Sequence, residues 1–291
     1  MKYQFIAEYA HEHSVALMCK VLHASRSGYY THMQGHVGPR ARANRRLLEE
    51  IRAVHACSRE IYGSPRVYHA LRAQGHACGR HRVARLMAKA GLVGRVRRRF
   101  RVTTRRRANA TYAPDRLQRS FVAQHPHQIW TSDITYIWTA EGWLYLAVVM
   151  DIYSRLIVGW ATSARIDADL VCRALDRALD RHTPMGEVIF HSDRGSQYTS
   201  EALQTLLREN RPELLLPSHG SSCYDNAITE SFFHTLKTEC VFFERYLTRE
   251  DGHRSLFDYI EVFYNRQRLH SSLGYRTPWE AKEQFNRKQV A

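Results

Sequence analysis

Apolar positions recur at two different spacings along this chain, and the change of spacing divides it. Val15, Leu17, Met18, Val21 and Leu22 follow the helical period. His23-Ala24-Ser25 reads as a turn, with Ser25 the N-cap of a second short helix ending near Tyr29-Tyr30. That pair has helix-turn-helix spacing, a weak signal by itself. Residues 44–91 form another helical module. Leu47, Leu48, Ile51 and Val54 make one stripe, and Ser64-Pro65 marks a helix start with Ser64 as cap. That helix carries Val67, Ala70 and Leu71, and Gly75 ends it. A third helix spans Arg80 to Ala90, with Val83, Leu86 and Met87 inward and Gly91 as its stop.

From Ile129 the pattern shortens. Ile129 to Ile137 is β-rich, and Leu144 to Met150 is an unbroken apolar run of the kind that forms a buried strand. Ile157 to Ala161 follows the turn at 151–154 as a third strand. Ala168 to His182 is an amphipathic helix, Val188 to His191 a short strand, and Ser200 caps a helix bearing Leu203, Leu206 and Leu207. Leu214 to Leu216 is another strand, and Asn226 to about Val241 a helix with Asp225 or Asn226 as its cap. Three meander strands followed by alternating helices and strands predict an α/β fold, a mixed sheet with helices on its faces. Beyond Leu247 the chain is helical again. Leu256, Tyr259, Ile260 and Phe263 share a face, Thr277-Pro278-Trp279-Glu280 reads as a capping box, and Tyr264 to Gly274 as a polar, basic loop. The expected divisions are 1–38 and 39–94 (helical), 95–125 (basic linker), 126–245 (α/β core) and 246–291 (C-terminal helical extension).

Charge adds a partner to this outline. Lys and Arg number 43 against 28 Asp and Glu, a surplus that points to a polyanion. No apolar run approaches a spanning helix and the amino terminus lacks a signal pattern, so a membrane partner is not expected. The six cysteines show no Cys-x-x-Cys pair and read as reduced, mostly buried thiols of a cytoplasmic protein. Arg82, Arg85 and Lys89 share the polar side of their helix. Arg95, Arg97, Arg98, Arg99, Arg101, Arg105, Arg106 and Arg107 crowd into the next segment. A solvated face and a solubilising linker are the plain alternatives, but this density of guanidinium groups favours phosphate contacts with counterion release.

Candidate chemistry lies with three acids. Asp133 sits mid-strand on the side shared by Thr131 and Thr135, opposite Trp130, Ile134, Tyr136 and Trp138. Asp193 directly follows an apolar strand, where open sheets build sites, although an aspartate before Arg194-Gly195 is also an ordinary turn residue. Glu230 lies one turn into its helix with Lys237 on the same face two turns later, outside the stripe of Ile228, Phe232 and Leu236. A surface ion-pair face would look similar. No single acid decides the matter. Three carboxylates from two strands and a helix can converge on one pocket, and oxygen ligands suit Mg²⁺ or Mn²⁺, two of which would serve in-line displacement at phosphorus.

At these residues the chain resembles the transposases of the bacterial insertion-sequence "three" family, specifically the second-reading-frame product, over nearly its whole length. Trp130-Thr131-Ser132-Asp133-Ile134-Thr135-Tyr136, His191-Ser192-Asp193-Arg194-Gly195-Ser196-Gln197-Tyr198 and Asp225-Asn226-Ala227-Ile228-Thr229-Glu230-Ser231-Phe232-Phe233 are similar to its acid-bearing motifs, and Lys237 to its basic residue after the glutamate. Tyr62-Gly63-Ser64-Pro65-Arg66 and Arg82-Val83-Ala84-Arg85-Leu86-Met87 resemble its helix-turn-helix module, and Tyr264-Asn265 with His270-Ser271-Ser272-Leu273-Gly274-Tyr275 its closing motif. The resemblance implies a ribonuclease H-like, integrase-type core and an Asp-Asp-Glu metal triad of Asp133, Asp193 and Glu230. It departs in one extra residue between Asp193 and Glu230, expected near Arg211-Pro212-Glu213, and in lacking the first-frame segment.

The favoured expectation is therefore a DNA transposase that cleaves and joins strands at element ends. Its partners would be double-stranded DNA, a second copy of the chain for synapsis, and the first-frame product or a fusion with it. A catalytically inactive DNA-binding regulator and a nuclease of RNA hybrids are the rival readings.

Overall fold

The computed structural model describes residues 1–34, 38–95, 122–182, 184, 186–193, 195–209, 215–219 and 227–290. Three short helices open the chain: α1 (Lys2–Glu8), α2 (Val15–Val21) and α3 (Arg26–Met33). The first was not legible as a helix; it joins Ile6 to Met18, Cys19 and Tyr29 in a small separate core. Ser25 caps α3 as expected, its hydroxyl accepting from the Gly28 N–H at 3.2 Å.

The second helical module comprises α4 (Pro39–Cys57), α5 (Ser64–Ala73) and α6 (Arg80–Lys89). Here Gly63, not Ser64, is the cap of α5. Ser64 is already helical and its side chain makes no cap bond. With Pro65 fixing the first turn, an extended Gly63 supplies the entry without a side-chain acceptor. Gly75 and Gly91 end α5 and α6 at φ +86° and +68°, a left-handed turn that glycine adopts without a Cβ clash.

The core is a five-stranded mixed sheet: β1 (Ile129–Thr139), β2 (Gly142–Asp151), β3 (Ile157–Ser163), β4 (Val188–Ser192) and β5 (Leu215–His219), in spatial order β3-β2-β1-β4-β5. The first three pair antiparallel, and β4 and β5 run parallel to β1. Helices α7 (Ala168–Arg181) and α8 (Glu201–Glu209) cover one face, burying Leu170, Leu175, Phe190 and Leu203 beside Trp130. The backbone of α7 lies so close to β3 that a Cβ on Gly159 would collide with the Ala174 carbonyl. The other face takes α9 (Ala227–Glu239), α10 (Arg249–Phe257) and a π-helical turn (Asp258–Tyr264) that continues it. Last comes α11 (Pro278–Val290), whose capping box forms as expected: Thr277 N–H donates to Glu280 Oε2 at 2.8 Å and Glu280 N–H to Thr277 Oγ1 at 3.1 Å.

The stretch after the π-helix is not the solvated loop its polarity suggests. Asn265 and Arg268 are buried. The Asn265 side chain bridges both backbone groups of Ile157, and Arg268 donates to both carboxylate oxygens of Glu239 at 2.6 Å. Tyr259 adds a third bond to Glu239 at 2.8 Å. Polar side chains that satisfy one another can be buried, and polarity alone does not place a segment at the surface. From the helical module, Arg66 reaches Glu239 at 3.7 Å, and Tyr62 accepts from Leu269 N–H at 2.7 Å while donating to the Gln267 carbonyl. The apolar side chains of α4, α5 and α6 consequently run into one continuous core with the sheet.

The thiols are less buried than expected. Cys19 and Cys240 are buried, but Cys78 and Cys172 are half-buried and Cys57 is exposed. Cys223, the segment Arg211-Pro212-Glu213 and the caps Asp225 and Asn226 lie outside the described residues.

Two outcomes test this account. Glu239→Gln strands the buried Arg268 charge and costs about 3 kcal/mol, read as a lower urea midpoint with unchanged slope; an unmoved midpoint refutes the anchoring role. Gly159→Ala pushes α7 off β3 and lowers stability by about 2 kcal/mol, measured the same way.

Candidate active site

Backbone register brings the two aspartates together. The parallel pairing of β1 with β4 sets Thr131 beside His191 and Ser132 beside Ser192. The next residues, Asp133 within β1 and Asp193 just past the end of β4, therefore lie side by side. Beyond that point β1 has no β4 partner, which opens the edge of the sheet at the acids. Asp193 also does the ordinary work of a turn aspartate, its Oδ1 accepting from Gly195 N–H at 2.9 Å.

The third acid arrives on α9. Thr131 and Thr229, both fully buried, share a hydroxyl hydrogen bond of 2.7 Å. It docks the first turn of α9 on the Asp133 face of β1, and Glu230 follows immediately. On the opposite face the buried Tyr198 hydroxyl meets Ser132 Oγ at 2.9 Å. This pair of buried hydroxyl contacts brackets Asp133. Sequence reading passed over Thr229 and Tyr198, although both sit inside motifs that it quoted; a hydroxyl carries no periodic signal.

The electrostatics at Asp133 register both of the other acids. Burial pushes the Asp133 carboxyl up to about 8, and the negative charges of Asp193 and Glu230 push the same way. The Ile134 N–H, 2.8 Å from Asp133 Oδ1, and the Lys237 ammonium pull against them. Burial also raises Glu230 and lowers Lys237, the latter partly offset by Asp133. Tyr198 is held far above an ordinary phenol by burial, with Asp133 and Asp193 adding to the effect. Lys237 Nζ stands 4.8 Å over the Tyr136 ring.

Among the described residues no three His, Cys, Asp or Glu side chains close tightly enough to hold a metal ion as they stand. The donor set nevertheless suits one. All three groups are carboxylates, the ligands of hard divalent cations, and Asp133 lies within reach of the charges of the other two.

The predicted phosphate-binding residues scatter more widely. Arg85 and Lys89 are exposed on α6. Arg82 is half-buried and donates to Asn44 Oδ1 at 2.8 Å, so it braces α6 against α4. Arg95 donates to the Glu239 carbonyl and lies 4.3 Å over the Phe243 ring, tied to the end of α9. Arg97, Arg98, Arg99, Arg101, Arg105, Arg106 and Arg107 lie outside the described residues.

An acid whose folded pKa exceeds its unfolded one loses stability as pH rises between the two. With metal removed by a chelator, the protein should therefore lose stability between about pH 4 and pH 8 on account of Asp133. Asp133→Asn should abolish that loss and raise Tm at pH 8 by about 4 °C. An unchanged Tm at pH 8 contradicts the charge cluster.

Family comparisons agree with this architecture. The model of the HTH-like domain matches residues 42–100, and integrase core domain models match 123–220 and 230–285. The chain is 40% identical over 293 residues to the transposase InsF for insertion sequence IS3A of Escherichia coli strain K12, covering 100% of both chains. It is 39% identical over 269 residues to a 31 kDa protein of insertion element IS600 from Shigella sonnei, covering 92% of this chain and 98% of that one. Among solved structures, the simian T-cell lymphotropic virus intasome with the PP2A regulatory subunit B56 gamma aligns at 13% identity and TM-score 0.46, over 79% of this chain and 73% of that one. The HTLV-2 integrase catalytic core in complex with magnesium aligns at 15% identity and TM-score 0.39, over 55% and 99%. Among the described residues no helix is long and apolar enough to cross a membrane. With an integrase core behind an HTH-like domain and full-length similarity to these relatives, the chain belongs to the IS3-family transposases, DNA-acting enzymes of the polynucleotidyl-transferase type.

Proposed function

We propose that Asp133, Asp193 and Glu230 are the catalytic carboxylates and together hold Mg²⁺ or Mn²⁺, as two ions. The support for this reading is the Asp133 carboxyl, which sits beside Asp193 at the open sheet edge and feels the charge of Glu230. When bound, the metal supplies positive charge to the attacking and leaving oxygens at phosphorus. The chain's own groups do the rest. Asp133 would hold the ion as the carboxylate, its proton released to solvent, while the Thr131–Thr229 bond docks the first turn of α9, from which Glu230 projects. Lys237, half-desolvated over Tyr136, binds a non-bridging phosphate oxygen next to the scissile bond.

The reaction is a sequence of two displacements. Water breaks the phosphodiester at an element end and leaves a 3′-hydroxyl. That hydroxyl then attacks a second phosphodiester at the same carboxylates, and the target strand's 3′-oxygen leaves. Residues 39–94, with Arg85 and Lys89, and the arginines between 95 and 107 hold double-stranded DNA against the core formed by residues 126–245. The first 38 residues add a second helical contact, and residues 246–291 brace α9. Synapsis of two ends requires at least two copies, with the first-frame product or a fusion completing end recognition on the bacterial chromosome.

Each of Asp133→Ala, Asp193→Ala and Glu230→Ala should abolish metal-dependent nicking of element-end DNA while duplex affinity stays near that of the parent. Equal loss of binding and activity, or nicking that survives all three changes, refutes the assignment. Lys237→Ala should weaken duplex binding and lower the slope of log K against log salt by about 1; an unaltered slope removes the phosphate role.

A further inference from the structure

The β1–β2 hairpin carries an exposed aromatic strip, of which the proposed chemistry uses only Tyr136, beneath Lys237. Trp138 is 60% exposed, and Tyr136 and Trp143 are exposed beside it. The rings lock edge-to-face, Tyr136 on Trp143 at 5.0 Å and Trp138 on Trp143 at 4.8 Å. Together with Phe242 they line a groove of about 670 Å³ whose wall includes Lys237. Isolated exposed aromatics are unremarkable, but a contiguous set is a binding surface.

We propose that this strip is a stacking platform for unpaired bases of the DNA strand adjoining the cleaved phosphodiester. The proposal rests on the active-site reading above and extends it from the scissile phosphate to its neighbours. Three observations carry it. First, the groove is continuous with the site, because Lys237 both lines it and feels the charge of Asp133. Second, Tyr136 and Trp138 are alternate residues of one strand, roughly 7 Å apart, which matches the rise of two nucleotides at about 3.4 Å each. Every base offers a π-face, so such a platform accepts any sequence. Third, the charge suits a polyanion: Lys237 and Arg245 line the groove against the single acid Glu244. A protein seated there would cover Lys237 and bar a phosphate from the carboxylates, whereas a strand leaving the site would run along the rings.

The test uses the full chain in chelator. That separates it from the metal reading, since forked-DNA binding is measured whether or not the carboxylates prove catalytic. The probes are a fluorescent duplex ending in an unpaired thymine arm and a blunt duplex of equal length. Trp138→Leu keeps apolar bulk and removes the π-face. Affinity for the forked probe should fall about tenfold with blunt-duplex affinity unchanged. No change, or equal loss on both probes, overturns the proposal. So does a shift in oligomeric state by light scattering with forked affinity intact, which marks a contact between protein chains. On the unaltered protein, 2-aminopurine placed in the arm should be quenched on binding. An unquenched arm overturns the proposal even if the variant fails to fold.

Discussion

One buried carboxylate holds together the parts of this molecule that meet DNA. Glu239 takes both nitrogens of the Arg268 fork and the Tyr259 hydroxyl, with Arg66 at 3.7 Å and Arg95 on its backbone carbonyl. Burial works against the Arg268 charge, yet Glu239 outweighs it and keeps the guanidinium more strongly protonated than usual. A buried pair of this kind adds little net stability over an apolar substitute, but removing one partner is costly. Its value here is positional. Glu239 closes the helix that Glu230 opens, so the acid rides on a rod of about 13 Å (1.5 Å per residue) whose far end is fixed. The same anchor receives Arg66 from the HTH-like module, and so that module and the acid helix share one fixed point.

The acids themselves are held against their own repulsion. Asp133 is driven towards its neutral form by burial and by two like charges, and buried hydroxyl contacts on either side keep it there. A packed core would gain from replacing such a residue. Under the proposed assignment that cost has a use, since an oxygen-lined, negatively charged notch at an open sheet edge would receive cations and, through them, phosphate. The Thr131–Thr229 and Ser132–Tyr198 bonds are the local supports that let the fold carry this unfavourable group.

Elements with strong periodicity were legible in the sequence almost residue by residue. The unbroken run from Leu144 to Met150 became β2, and the inward leucines of α7 are all fully buried apart from the half-buried Leu179. Positions where polar groups bury each other were not legible. Tyr264 to Gly274 read as a surface loop because Asn265, Arg266 and Arg268 are polar, and nothing nearby in sequence reveals the partners of Asn265 and Arg268, in β3 and α9. Face assignment on β1 was correct, but its consequence was hidden. Tyr136 and Trp138 look like core residues and are exposed, because β4 pairs with only the first part of β1 and, among the described residues, no helix covers these two side chains.

The sequence by itself determined most helices and strands, though not α1, that the sheet would be mixed, that the charge favours an anionic partner, and which three acids stand in motif-like settings. Local periodicity and residue chemistry are properties of neighbours along the chain, and they survive without a fold. Tertiary structure alone decided that Asp133 and Asp193 lie side by side on adjacent parallel strands, that a threonine pair docks the first turn of the Glu230 helix on β1, and that Glu239 ties that helix to the HTH-like module. Those facts depend on strand register and on the packing of segments up to about two hundred residues apart, such as Tyr62 against Leu269, and no local pattern encodes a distance of that kind.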